Sequence, residues 1–144
     1  MSEQQDNAQL HAQFDRVWGN LPGIGALAAV NHTSVGLRFI VTGLFFFLVG
    51  GLLAMLLRTQ LALPQQSIIG AELYSQLFTM HGTLMMFLFA IPILEGVAMY
   101  LVPKMIGARD LAFPRLGAMG YFCYLFGGLI ILSSLLLNIA PDSG

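Results

Sequence analysis

Three long apolar runs, parted by short polar stretches, organise this chain. Phe39 to Leu57 holds nineteen residues without a charge, between Arg38 and Arg58. A helix of that length rises about 28 Å, close to the hydrocarbon thickness of a bilayer. The second run, Leu73 to Val102, is broken only by His81, Pro92 and Glu95. The third, Leu116 to Ile139, carries no charge. None alternates with period two, which argues against barrel strands. The pattern predicts an all-α membrane protein of three transmembrane helices. Residues 37–144 form the transmembrane region, with spans at about 39–57, 73–102 and 116–139, and residues 1–36 form a polar tail and interfacial segment. The second run is long for one crossing, and a tilt or a kink at Pro92 would accommodate it.

Pro64 to Gly70 reads as a turn-rich loop, and Pro103 to Pro114 as a second loop containing Gly107. The first twenty residues are polar, with a short helix predicted around Leu10 to Trp18. They show no basic segment leading into an apolar run, so no cleavable signal peptide is expected. Arg16, Arg38, Lys104, Arg109 and Arg115 all fall on one side of the predicted topology, with Arg58 alone on the other. The positive-inside rule then puts the N-terminus in the cytoplasm and the C-terminal end outside.

Composition agrees with lipid as the solvent. The chain is 57% hydrophobic and 9% charged, against about 25% charged in a soluble domain. A net charge of −1 argues against nucleic acid, which selects basic patches. The one cysteine, Cys123, lies in an apolar run and says nothing about redox compartment.

The polar residues inside the runs carry the candidate chemistry. His81 lies about 12 Å from the outer end of its span. Ionisable residues at that depth face a bundle interior or a cofactor, and neutral imidazole is a common metal ligand. A haem iron needs only one or two axial side chains. Gly82 would leave room for a porphyrin edge, and Leu77, Phe78, Leu84 and Met85 share the face of His81. The plain alternative is a structural histidine bonded to a neighbouring helix. Glu95 is protonated, paired or in a hydrated cavity, or else an interfacial carboxylate near Lys104. Arg38 and Arg58 read as span-end residues that snorkel to the headgroups. Asp110, between basic neighbours, is either part of a solvated face or a point of proton uptake.

Asn31-His32, Leu57-Arg58, Thr79-Met80-His81-Gly82 and the loop Leu101 to Arg115, with Gly107-Ala108-Arg109-Asp110-Leu111-Ala112-Phe113-Pro114-Arg115, resemble the N-terminal part of subunit I of the haem-copper respiratory oxidases, the cytochrome c oxidase family. The resemblance covers about Asn31 to Gly144. It implies the first three helices of a twelve-helix bundle in a bacterial inner membrane, assembled with the rest of the subunit and other oxidase subunits. It also implies electron transfer from cytochrome c, through a low-spin haem, to a second haem and copper where oxygen is reduced to water with proton translocation.

In that resemblance His81 matches the axial ligand of the low-spin haem, expected to be of a type, or else of b type. Arg58 and Tyr74 match residues near that haem. Asp110 matches the mouth of a proton channel. The sequence departs from the family where channel asparagines are usual: Gly117, Ala118 and about Met99 stand there, and Glu95 takes a position usually apolar or small. An altered proton route involving Glu95 is the expectation. Quinol-using relatives place Arg and Asp where Leu48 and Leu52 stand here, and Gln76 alone matches a quinone contact, so cytochrome c is the expected donor. The second haem, the copper and the remaining ligands belong to later helices, so the chain alone is expected to be inactive. The rival readings are a nitric oxide reductase subunit, a haem-b membrane anchor of a dehydrogenase, and a structural or transporter subunit without a cofactor.

Overall fold

The computed structural model describes residues 7–13, 27–62, 68–137 and 139–141. Residues 7–13 are helical. The predicted helix at Leu10 to Trp18 overlaps them, and its later part lies outside the described residues. Three helices follow that are long and apolar enough to cross a membrane: α1, His32–Gln60; α2, Ala71–Met105; and α3, Pro114–Leu136. The chain is an all-helical, multi-pass membrane protein.

Each helix overshoots or undershoots its apolar run for a local reason. The first begins well before Phe39 because Asn31 caps it: the side-chain oxygen accepts the Ser34 N–H at 2.8 Å. Arg38 is thereby held inside the helix. Its guanidinium lies over the Tyr121 ring, 5.9 Å from the centroid. Pro103, read as the first loop residue, belongs to the end of α2. The helix stops at Gly107, whose φ of 69° is left-handed. There Ala108 N–H reaches back to the Pro103 carbonyl at 2.8 Å and Gly107 N–H to that of Lys104 at 3.4 Å. This is the paired C-terminal bonding that favours glycine. Pro114 then opens α3, where its missing N–H costs nothing.

The buried positions of α1 include Gly36, Phe39, Gly43, Phe46, Gly50, Leu53 and Leu57. They alternate in steps of three and four, the 3.5-residue period of a helix packed along a partner. The glycines are the contact line with α2, which runs antiparallel. A Cβ on Gly36 would come within 2.7 Å of the Gly96 carbonyl oxygen, one on Gly43 within 3.0 Å of Ile93, and one on Gly50 within 2.9 Å of the Met85 sulfur. Small residues bring backbones close where lipid gives no hydrophobic drive to associate. The larger residues meet α3, which runs parallel to α1. Phe39 stacks on Tyr124 at 5.4 Å and meets Tyr121 edge-on, Thr42 shares a 3.0 Å hydrogen bond with the Tyr121 hydroxyl, and Phe46 fills the space left by Gly128.

The second helix is not uniform. Leu84–Ala90 is π-helical, with the Ile91 N–H bonded to the Met86 carbonyl five residues back. Pro92 has no N–H to offer the Leu88 carbonyl four residues earlier, and its ring crowds that oxygen. Widening the turn relieves the crowding. The Tyr124 hydroxyl, from α3, supplies the missing donor to the Leu88 carbonyl at 2.7 Å. Tyr124→Phe leaves that carbonyl without its side-chain donor. The expected cost is about 1 kcal/mol, read as a lower unfolding midpoint in a detergent titration. An unchanged midpoint would show that the π-helical turns satisfy the oxygen without α3.

Candidate functional site

His81 lies near the start of the π-helical segment and faces α1. Its Nδ1 is 2.9 Å from the Gly50 carbonyl oxygen. A carbonyl can only accept, so Nδ1 carries the proton and donates. In a neutral imidazole this leaves Nε2, across the ring, with its lone pair. A hydrogen bond of this kind fixes both tautomer and ring orientation in metal-ligating histidines. Gly50 does not stand out in the sequence. It sits in the glycine line that lets α2 approach, and the Gly50-Gly51 pair inside an apolar run is the available signal.

The surroundings of the imidazole suit a flat group. A Cβ on Gly51 or on Gly82, the residues next to Gly50 and His81, would meet nothing within 4 Å. Among the described residues no three His, Cys, Asp or Glu side chains gather as a metal cluster. A single imidazole suits a haem, whose porphyrin supplies the equatorial nitrogens. The residues present therefore fit one axial position of a haem.

The hydrophobic neighbours differ from expectation. Leu77 and Leu84, expected to face the macrocycle, are buried with Phe46, Leu53, Leu57 and Met80 in the packing between helices. The glycine line on α1 draws that side of α2 inward. Phe78 is exposed, and Met85 packs on Gly50. Tyr74 is half-buried against the same cluster. Arg58, in the last turn of α1, is exposed. Gln76 is buried.

The two carboxylates occupy different places. Asp110 Oδ1 accepts the N–H of His32 at 3.0 Å and that of Leu111 at 2.8 Å, with His32 Nδ1 at 3.3 Å. His32 is the first residue of α1, so Asp110 satisfies an N–H that a helix start leaves unpaired. It thereby ties the second loop to that helix. A polar cavity of about 440 Å³ beside it is lined by Asn31, His32, Thr33, Arg109 and Asp110. His32 enters the sequence reading only as part of a motif; its partner lies seventy-eight positions away, beyond any local signal. Glu95 lines a separate cavity of about 560 Å³ between α2 and α3. This space is an open groove, with Glu95 exposed, and α3 lines it with Leu116, Gly117, Gly120 and Tyr124.

Three membrane-crossing helices, with one imidazole bonded from the second to the Gly50 carbonyl of the first, define a multi-pass helical membrane protein. Residues 34–144 match the family described as "Cytochrome C and Quinol oxidase polypeptide I". The cytochrome c oxidase subunit 1 of Bacillus subtilis (strain 168) is 45% identical over 118 residues, covering 82% of this chain and 19% of that protein. The cytochrome c oxidase subunit 1 of Bacillus sp. (strain PS3) is 43% identical over 127 residues, 85% of this chain and 21% of that one. The heme-copper oxidase subunit I+III of Aeropyrum pernix is 43% identical over 119 residues, 82% of this chain and 15% of that one. The chain belongs to the subunit I family of the haem-copper oxidases. It spans about a fifth of the length of the curated relatives it matches, or less.

Proposed function

We propose that this chain is the N-terminal part of the catalytic subunit of a respiratory oxidase, which passes electrons from cytochrome c through a low-spin haem to a haem-copper centre that reduces oxygen to water and translocates protons. The observation that carries this reading is the His81 Nδ1 bond to the Gly50 carbonyl, which prepares Nε2 for iron. His81 would hold the haem iron through Nε2. The haem, when bound, supplies reversible one-electron chemistry at the iron. Arg58 brings a positive charge to the end of α1 that lies beyond Gly50, where it suits a haem's polar substituents. Tyr74, two turns before His81, borders the same region.

The chain's charge asymmetry supports a bacterial inner membrane with the N-terminus in the cytoplasm. Leu48 and Leu52 are exposed and apolar, which offers a quinone no charged partner and favours cytochrome c as donor. The names of the relatives favour the oxidase over a nitric oxide reductase or a dehydrogenase anchor. The test is a pyridine haemochrome analysis of the full-length subunit, with oxygen uptake measured on reduced cytochrome c and on quinol. A-type haem with turnover on cytochrome c is the expected result. B-type haem alone would overturn the oxidase reading, and turnover on quinol alone would overturn the donor.

A further inference from the structure

The loop between α2 and α3 and the helix ends beside it carry three basic residues. Lys104 lies in the last turn of α2, Arg109 in the loop, and Arg115 is the second residue of α3. Their surroundings differ. Lys104 Nζ sits over the Tyr100 ring, 3.4 Å from its centroid. Arg109 lines the polar cavity beside Asp110. Arg115 is exposed, and among the described residues no hydrogen bond, ion pair or ring contact holds its side chain.

Arg115 borders an apolar groove of about 510 Å³. Its other walls are Val30, just before α1, Ala112 and Phe113 from the loop, and Pro114 and Leu116 from the start of α3. Stretches distant in sequence thus meet there, and none brings an acidic side chain. Phe113 is 73% exposed and Leu116 64%. Apolar and aromatic side chains so exposed suit the level where acyl chains meet headgroups. Helix length puts the groove at that level. Arg115 to Leu136 is twenty-one residue steps, about 32 Å of helix, against about 30 Å of hydrocarbon. With the far end of α3 at one face of the bilayer, Arg115 lies at the other.

We propose that this groove binds one anionic phospholipid, with Arg115 on the phosphate and Val30, Phe113 and Leu116 against the first part of an acyl chain. Charge complementarity selects the occupant. A guanidinium offers two parallel N–H bonds to phosphate oxygens, and each basic group near a membrane surface adds attraction for anionic lipid. A zwitterionic lipid brings a phosphate too, but its own cation offsets that charge beside Arg115 and Arg109. A free anion would match the guanidinium and leave Phe113 and Leu116 uncovered. The site rests on the membrane-spanning fold and not on the oxidase reading.

The test uses the full-length subunit assembled with its partners and purified in detergent. Native mass spectrometry follows retained lipid as dioleoylphosphatidylglycerol or dioleoylphosphatidylcholine is added. The wild type is expected to hold one phosphatidylglycerol more than Arg115→Gln, whose affinity at this site falls at least about fivefold. Phosphatidylcholine is expected to show no such difference, and millimolar inorganic phosphate to displace nothing. Arg115→Lys keeps the charge and is expected to recover most of the binding. Phe113→Ser keeps the cation, loses apolar contact and is expected to bind more weakly. If Arg115→Gln fails to assemble, Arg115→Lys and Phe113→Ser carry the test: near-normal retention in the first with loss in the second supports the proposal, and any other pattern overturns it. Equal phosphatidylglycerol retention in the wild type and Arg115→Gln would overturn it, which is also the result if a protein segment covers the groove in the full subunit. An equal difference with phosphatidylcholine, or displacement by inorganic phosphate, would overturn the choice of an anionic lipid.

Discussion

His81→Ala in the full-length subunit abolishes the low-spin haem absorbance and lowers electron transfer by more than about 100-fold. Loss of a group that merely orients a metal ligand costs about 10- to 100-fold in metal affinity or activity, and on the proposed reading this substitution removes the ligand itself. The fold should survive. Within the chain the substitution removes a single hydrogen bond, that to the Gly50 carbonyl, worth about 1 kcal/mol, and the oxygen keeps its place in α1. Helical content by circular dichroism should therefore match the wild type while the haem spectrum does not. A variant that retains a normal low-spin spectrum would show that His81 is a structural bridge between α1 and α2.

Gly96→Leu should damage assembly severely where α1 meets α2. A Cβ at Gly96 would lie 2.8 Å from the Gly36 carbonyl oxygen and 2.8 Å from Phe39 Cβ. The oxygen is backbone and cannot turn aside, so the helices must part. Overpacking of this kind costs about 1–3 kcal/mol or more, although leucine is the better helix former by nearly 1 kcal/mol. Gly127→Leu makes the matching control, because a Cβ there would meet nothing within 4 Å and only the propensity gain remains. Thermal unfolding of the subunit in detergent should show a large drop for the first and none for the second. Equal midpoints would mean that the Gly36–Gly96 approach is not what joins the helices.

The architecture is legible in the sequence because span length and charge exclusion are properties of the chain itself. What stays hidden there is set by partners. The start of α1 depends on the Asn31 cap and on an aspartate seventy-eight positions away, in the loop before α3. The end of α2 depends on a bonding pattern that absorbs Pro103 and stops at Gly107. His81 stands out because an ionisable group in an apolar run demands a reason, whereas Gly50 passes as filler. Leu77 and Leu84 lie in other surroundings than their spacing suggests, because same-face spacing does not say which neighbour takes the face. The π-helical segment leaves one trace in the burial pattern. From Met80 the buried positions fall at 80, 84, 88, 92 and 96, a run of fours that a regular helix cannot keep on one side.

That run of fours makes α2 a device for setting phase. Fourteen residues are close to four ordinary turns, so in an unbroken helix His81 and Glu95 would point nearly the same way. The wider turns between them use more residues per revolution and hold back the rotation of everything beyond. The imidazole consequently meets α1 while the carboxylate opens toward α3. One continuous rod thus presents its imidazole and its carboxylate to different neighbours, and the offset between them is fixed by a count of residues rather than by a hinge.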